Sequence, residues 1–136
     1  MRRAARFGDG WMPYLYSPNR YAASVARIRE LATEEGRDLS DFEWYAFVFV
    51  NADPDGRRAR EDAARTLGGN YNQDFRAMID RVAAAGTPAD VRQRIQDFVD
   101  AGARHFVFVP ATGGGSPDPI ITRLFQDVLP NLVSAK

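Results

Sequence analysis

Two segments of the chain are apolar at nearly every position, and the rest alternates between apolar and polar with a helical period. Trp44-Tyr45-Ala46-Phe47-Val48-Phe49-Val50 and His105-Phe106-Val107-Phe108-Val109 are dominated by β-branched and aromatic side chains and are bounded by Gly, Pro and Asn. Such runs predict short parallel strands covered on both faces. Between them lie amphipathic patterns. Tyr21, Val25, Ile28 and Ala32 recur at helical spacing after Ser17-Pro18, an N-cap hydroxyl with Pro at the first helical position, and Gly36 closes that helix. Ala59, Ala63, Ala64 and Leu67 predict a small-faced helix that stops at Gly68-Gly69, and Tyr71, Phe75, Met78, Ile79 and Val82 predict a second helix over 70–82. Thr87-Pro88-Ala89-Asp90 is close to a capping box for a helix lined by Val91, Ile95, Phe98 and Val99. Pro117-Asp118-Pro119 begins a closing helix that is interrupted at Pro130, and near the start Arg2 to Phe7 reads as a helix end capped by Gly8, followed by a short strand at Asp9-Gly10-Trp11.

The order of elements is that of an α/β fold with about three parallel strands and flanking helices. With 136 residues and 45% hydrophobic content, the chain has enough material for one core, so residues 1–136 are expected to form a single domain, complete or partial. Lys plus Arg and Asp plus Glu balance at 18 each, which gives no pull toward nucleic acid or an anionic membrane. The absence of Cys and the single His remove thiol nucleophiles, disulfides and multi-His metal sites, and no metal is expected. Nothing resembles a signal peptide or a membrane span, so the expected location is the cytoplasm. His105 is the only imidazole, but it lies at the start of its strand, whereas functional groups in such folds gather at strand ends. No residue stands out as a catalytic acid or base. The run Gly113-Gly114-Gly115-Ser116 lacks the Lys-Ser/Thr of a phosphate-binding P-loop and reads as a surface loop.

Several stretches in order carry a resemblance. Arg3-Ala4-Ala5-Arg6-Phe7-Gly8-Asp9-Gly10-Trp11, the helix from Tyr21 ending in Glu34-Glu35-Gly36-Arg37, Ala85-Gly86-Thr87-Pro88-Ala89-Asp90-Val91, Ala101-Gly102-Ala103-Arg104-His105-Phe106-Val107 and Val128-Leu129-Pro130-Asn131-Leu132 together resemble the C-terminal portion of the luciferase-like monooxygenases. The resemblance implies part of a TIM-type (β/α)8 barrel, a fold that needs about 250 residues and eight strands when whole. It also implies reduced FMN or the deazaflavin coenzyme F420 as cofactor and a small organic molecule as substrate. The strands at Asp9 to Trp11, Trp44 to Val50 and His105 to Val109 would be the sixth, seventh and eighth of the barrel. Their C-terminal ends would face the cofactor: Trp11, Pro13 and Tyr14 after the first, Asn51 and Asp53 after the second, and Pro110, Ala111, Thr112 and Gly113 after the third. The cofactor would supply the redox chemistry. A chain holding only these strands is expected to be inactive alone and to need a missing N-terminal half or to associate as a homo-oligomer; the alternative is a non-catalytic α/β remnant that binds a partner.

Overall fold

The structure, a computed structural model, describes residues 1–134. Its elements are α1 (Arg2–Phe7), β1 (Gly10–Trp11), α2 (Pro18–Glu34), β2 (Glu43–Ala52), α3 (Gly56–Tyr71), α4 (Ile79–Val82), β3 (Ala83–Gly86), α5 (Pro88–Asp100), β4 (His105–Pro110) and α6 (Asp118–Arg123), the last running on through a π turn and a 3-10 turn to Asn131. The helix starts follow their caps. Ser17 accepts from the Arg20 N–H, and Thr87 and Asp90 form the reciprocal capping box over α5.

All four strands are parallel, and β2 pairs with each of the other three. The direction of its hydrogen bonds sorts the partners. The N–H groups of Glu43 and Asp53 donate to the carbonyls of Asp9 and Gly86, whereas the carbonyls of Trp44 and Val50 accept from Arg104 and Ala111. Alternate residues of a strand aim their backbone groups at alternate edges, so β1 and β3 lie along the start and the end of one edge of β2, and β4 lies along the other.

That order fixes where the helices go. The steps from β1 to β2 and from β3 back across β2 to β4 run in one direction, and a right-handed crossover places α2 and α5 on one face; the step from β2 to β3 runs the opposite way and places α3 on the other. The buried side chains agree. Trp44, Ala46, Val48, Val50 and Ala52 pack with Tyr21, Ile28, Ile95, Phe98 and Leu124 on the first face, and Phe49 packs with Ala63, Leu67, Phe75 and Ala111 on the second. In TIM-type barrels the helices coat the outside, so the face under α2, α5 and α6 is the outer one and the face carrying α3 is the inner one.

Three expectations are corrected. Residues 70–82 do not form one helix: α3 runs through Gly68-Gly69 to Tyr71 and ends at Asn72 in the left-handed conformation, and only Ile79–Val82 is helical beyond it. The apolar stripe of that segment is real, since Phe75 and Ile79 are buried, but Phe75 packs from a loop and Ile79 from the short α4. A fourth strand, β3, forms in Ala83-Ala84-Ala85-Gly86 beside Phe49–Ala52. Finally, β4 is not covered on both faces, because His105 and Val107 are exposed on the inner one.

Candidate functional site

On the inner face, the loop after β1 comes level with the middle of β2 and β4. Tyr14, on the loop after β1, turns its exposed ring back over that face, 5.1 Å from the Phe47 ring and 6.1 Å from Phe49. Tyr71, at the end of α3, closes the other side at 6.2 Å from Tyr14. Val107 and Val109 of β4 continue the apolar wall, with Val107 38% exposed. Of this wall only Tyr14 is among the residues the resemblance places at the cofactor; Phe47 and Tyr71 read in sequence as strand and helix positions. The signal for Phe47 is the period of two in β2, which puts it on the face opposite Trp44 and Val48.

The remaining expected cofactor residues divide by environment. The Trp11 ring lies on the outer face, 5.1 Å from Tyr21 and 6.4 Å from Trp44. Pro13 is buried. Asn51 and Ala111 are buried and joined to each other, the Asn51 side-chain amide donating to the Ala111 carbonyl at 2.9 Å. The bond ties the end of β2 to the exit of β4. Pro110 and Thr112 are half-buried at that exit.

Gly113 takes φ +70 and its N–H donates to the Thr66 hydroxyl of α3 at 2.8 Å, while the Gly114 N–H donates to the Thr112 hydroxyl at 3.1 Å. The first two amides of the glycine run are therefore engaged within the protein and do not form an open anion cradle. Asp53, after β2, pairs with Arg123 of α6 at 3.5 Å, and the same guanidinium donates to the Ala52 carbonyl at 3.0 Å.

At the opposite end of the sheet, His105 stacks on Tyr45 with ring centroids 4.8 Å apart, and the Tyr45 hydroxyl donates to Glu43 at 2.7 Å. That bond, with the carboxylate's charge, raises the Tyr45 pKa. The group lies at the strand starts. Among the described residues no cluster of three His, Asp or Glu is placed to hold a metal. Two clefts of about 600 Å3 each lie elsewhere: one by Gln96, Asn131 and Val133, the other by Arg65, Gln73 and Arg76. No helix among the described residues is long and apolar enough to cross a membrane.

A parallel sheet with helices packed on its faces, one of them bearing a partly exposed apolar wall, is the arrangement of a portion of a TIM-type barrel. The chain belongs to the luciferase-like monooxygenase family, whose model matches residues 1–105. Solved structures agree in fold. The coenzyme F420-dependent tetrahydromethanopterin reductase from Methanopyrus kandleri superposes with a TM-score of 0.72 at 19% identity, over 97% of this chain and 48% of its own. An F420-dependent secondary alcohol dehydrogenase, in complex with an F420-acetone adduct, gives 0.78 at 20% identity, over 93% of this chain and 44% of its own. The oxygenating constituent of 3,6-diketocamphane monooxygenase from Pseudomonas putida, in complex with FMN, gives 0.67 at 14% identity, over 99% and 46%. The chain thus spans less than half the length of these structures. No curated protein sequence matches it.

Proposed function

We propose that residues 1–136 form one partial-barrel domain that supplies the C-terminal part of a flavin- or deazaflavin-dependent oxidoreductase acting on a small organic substrate in the cytoplasm. The observation that carries this reading is the inner-face wall of Tyr14, Phe47 and Val107, apolar and partly exposed. Its chemistry fits the planar ring of FMN or coenzyme F420. Such a cofactor, when bound, supplies the redox chemistry; Tyr14, Phe47 and Val107 exclude water from one side of it, Pro110 and Thr112 border it, and the Asn51 bond to Ala111 holds that border in place. The engaged amides of Gly113 and Gly114 do not fit a phosphate.

One wall does not enclose a ligand, because pockets of this kind bury most of a ligand's surface. The chain alone is therefore inactive and binds FMN or F420 weakly or not at all, and it acts in association with an N-terminal half or with another copy. A second reading, a non-catalytic module that binds a partner, is favoured by the unpaired edge of β4.

Titration of the purified chain with FMN and with F420, followed by fluorescence, tests the first reading, with a parallel titration after co-expression with the N-terminal half of a luciferase-like barrel. Saturable binding only in the complemented sample is expected. A tight one-to-one complex of the lone chain overturns the incomplete pocket, and no binding in either sample overturns the flavin assignment.

A further inference from the structure

The outer edge of β4 is defined residue by residue. The register is constant from Tyr45↔His105 to Val50↔Pro110, and the Ala111 N–H donates to Val50. His105, Val107 and Val109 therefore turn their backbone groups toward β2, and Phe106, Phe108 and Pro110 turn theirs outward. β4 pairs with β2 alone, and no loop or side chain of the described residues bonds to the N–H or C=O of Phe106 or Phe108. The usable stretch is bounded at both ends. The Arg104 N–H is already given to Trp44, and Pro110 has no N–H to give.

We propose that this edge is a homodimer interface in which β4 pairs antiparallel with β4 of a second copy, about a two-fold axis through Val107. Three features select a second copy. First, the edge is self-complementary about Val107. Placing Val107 opposite its own mate sets Phe106 opposite Phe108 of the second copy, and because both aim their backbone groups outward, each N–H meets the other's carbonyl in a hydrogen-bonded pair while the two Val107 residues form the close, non-bonded pair between them. The match stops where Arg104 and Pro110 stop it.

Second, the side chains repeat across the axis. The Phe106 and Phe108 rings are only half-buried and stack at 5.4 Å with 9° between planes; the pairing adds the same two rings from the second copy and makes one aromatic row, the kind of cross-strand contact that stabilises sheets. On the inner face Val107, 38% exposed, meets its mate.

Third, charge does not oppose the approach. From His105 to Pro117 the sequence holds no Asp, Glu, Lys or Arg, so the edge lacks the charged residues with which natural proteins keep open edges apart. This inference goes beyond the flavin reading and does not depend on it, since the edge is formed by backbone groups whether or not a cofactor binds.

Two surface variants and one backbone measurement test it. Val107→Lys sets two ammonium groups against each other on the axis; Met12→Lys places the same charge on the inner face, at a side chain 51% exposed and away from the edge. In sedimentation at micromolar concentration the parent chain is expected to be a dimer. Val107→Lys should raise its dissociation constant about tenfold or more, as like charges pressed together cost kcal/mol, and Met12→Lys should leave it unchanged. Hydrogen exchange should show the Phe106 and Phe108 amides protected in the dimer and fast in Val107→Lys, with circular dichroism confirming that the variant is folded. A monomeric parent overturns the proposal. So does a dimer that Met12→Lys breaks and Val107→Lys spares, or one whose Phe106 and Phe108 amides exchange freely, since copies then associate face to face.

Discussion

The Tyr21 hydroxyl donates to the Tyr45 carbonyl at 2.9 Å, and it does so because Pro13 cannot. Extending the β1–β2 register of Gly10↔Glu43 and Trp11↔Trp44 by one more bond would ask residue 13 for an N–H, and proline has none. β3 joins the same edge only from Phe49 onward. The side chain of α2 fills the gap between the two short strands.

Tyr21→Phe should therefore destabilise the chain by roughly 1–3 kcal/mol, the cost of leaving a part-buried carbonyl without its partner. Denaturant unfolding of the two proteins measures the difference. A change within error would mean that water reaches Tyr45.

The same hydroxyl gives a pH dependence. Burial raises its pKa above the ordinary tyrosine value, and the Arg104 charge offsets this only in part. The folded state thus holds a proton that the unfolded chain releases first. The stabilisation is complete below about pH 10, the unfolded value, and is lost as the pH rises from there toward the folded value. Stability curves between pH 8 and 11.5 should fall more steeply for the parent chain than for Tyr21→Phe; parallel curves would contradict the assignment.

Arg37 holds α1 onto the domain. Its guanidinium donates to the carbonyls of Ala4, Ala5 and Gly8 at the C-terminal end of a six-residue helix, where carbonyls run out of intrahelical partners; the Ala4 carbonyl also accepts the Gly8 N–H. Arg37→Ala should cost roughly 1.5–3 kcal/mol and speed hydrogen exchange over residues 2–8 more than elsewhere. Arg37→Lys, with a point charge in place of a fork, should recover only part of the loss.

Gly113 and Gly36 make a matched pair. Both have positive φ, +70 and +67, but a Cβ on Gly113 would lie 2.7 Å from Asp62 Oδ1, while one on Gly36 would meet nothing within 4 Å. Gly36→Ala should cost about 1–2 kcal/mol for the left-handed backbone alone. Gly113→Ala should cost more, and it should loosen the Gly113 to Thr66 bond that joins the β4 exit to α3. Equal melting temperatures for the two variants would show that Asp62 moves aside freely.

What the sequence disclosed followed its strongest patterns. β2, β4, α2 and α5 are legible because Trp44 to Val50 and His105 to Val109 are apolar without a break, and because Ser17-Pro18 and Thr87-Pro88-Ala89-Asp90 announce helix starts. β3 was hidden because Ala83-Ala84-Ala85 has no β-branched or aromatic side chain; its strand conformation comes from bonds to Phe49–Ala52 and from lying against α3 and α5. The 70–82 stripe satisfied a helical period but is split between the end of α3, an exposed loop and the short α4, since Phe75 and Ile79 need contact with the core and not a continuous helix to obtain it. Within the candidate site, Tyr14 and Asn51 could be placed at strand ends, but the direction of Trp11, away from the inner wall, depends on which face α2 covers.

Because β1, β3 and β4 each pair only with β2, the sheet has no substitute pairing and a fixed order of assembly. During synthesis, the β1–β2 pair can close only when residues 43 to 44 are free. β4 is the last of the four described strands to be made. Until it is, the carbonyls of Trp44 and Val50 lack the partners they hold in the closed sheet, throughout the synthesis of α3, β3 and α5.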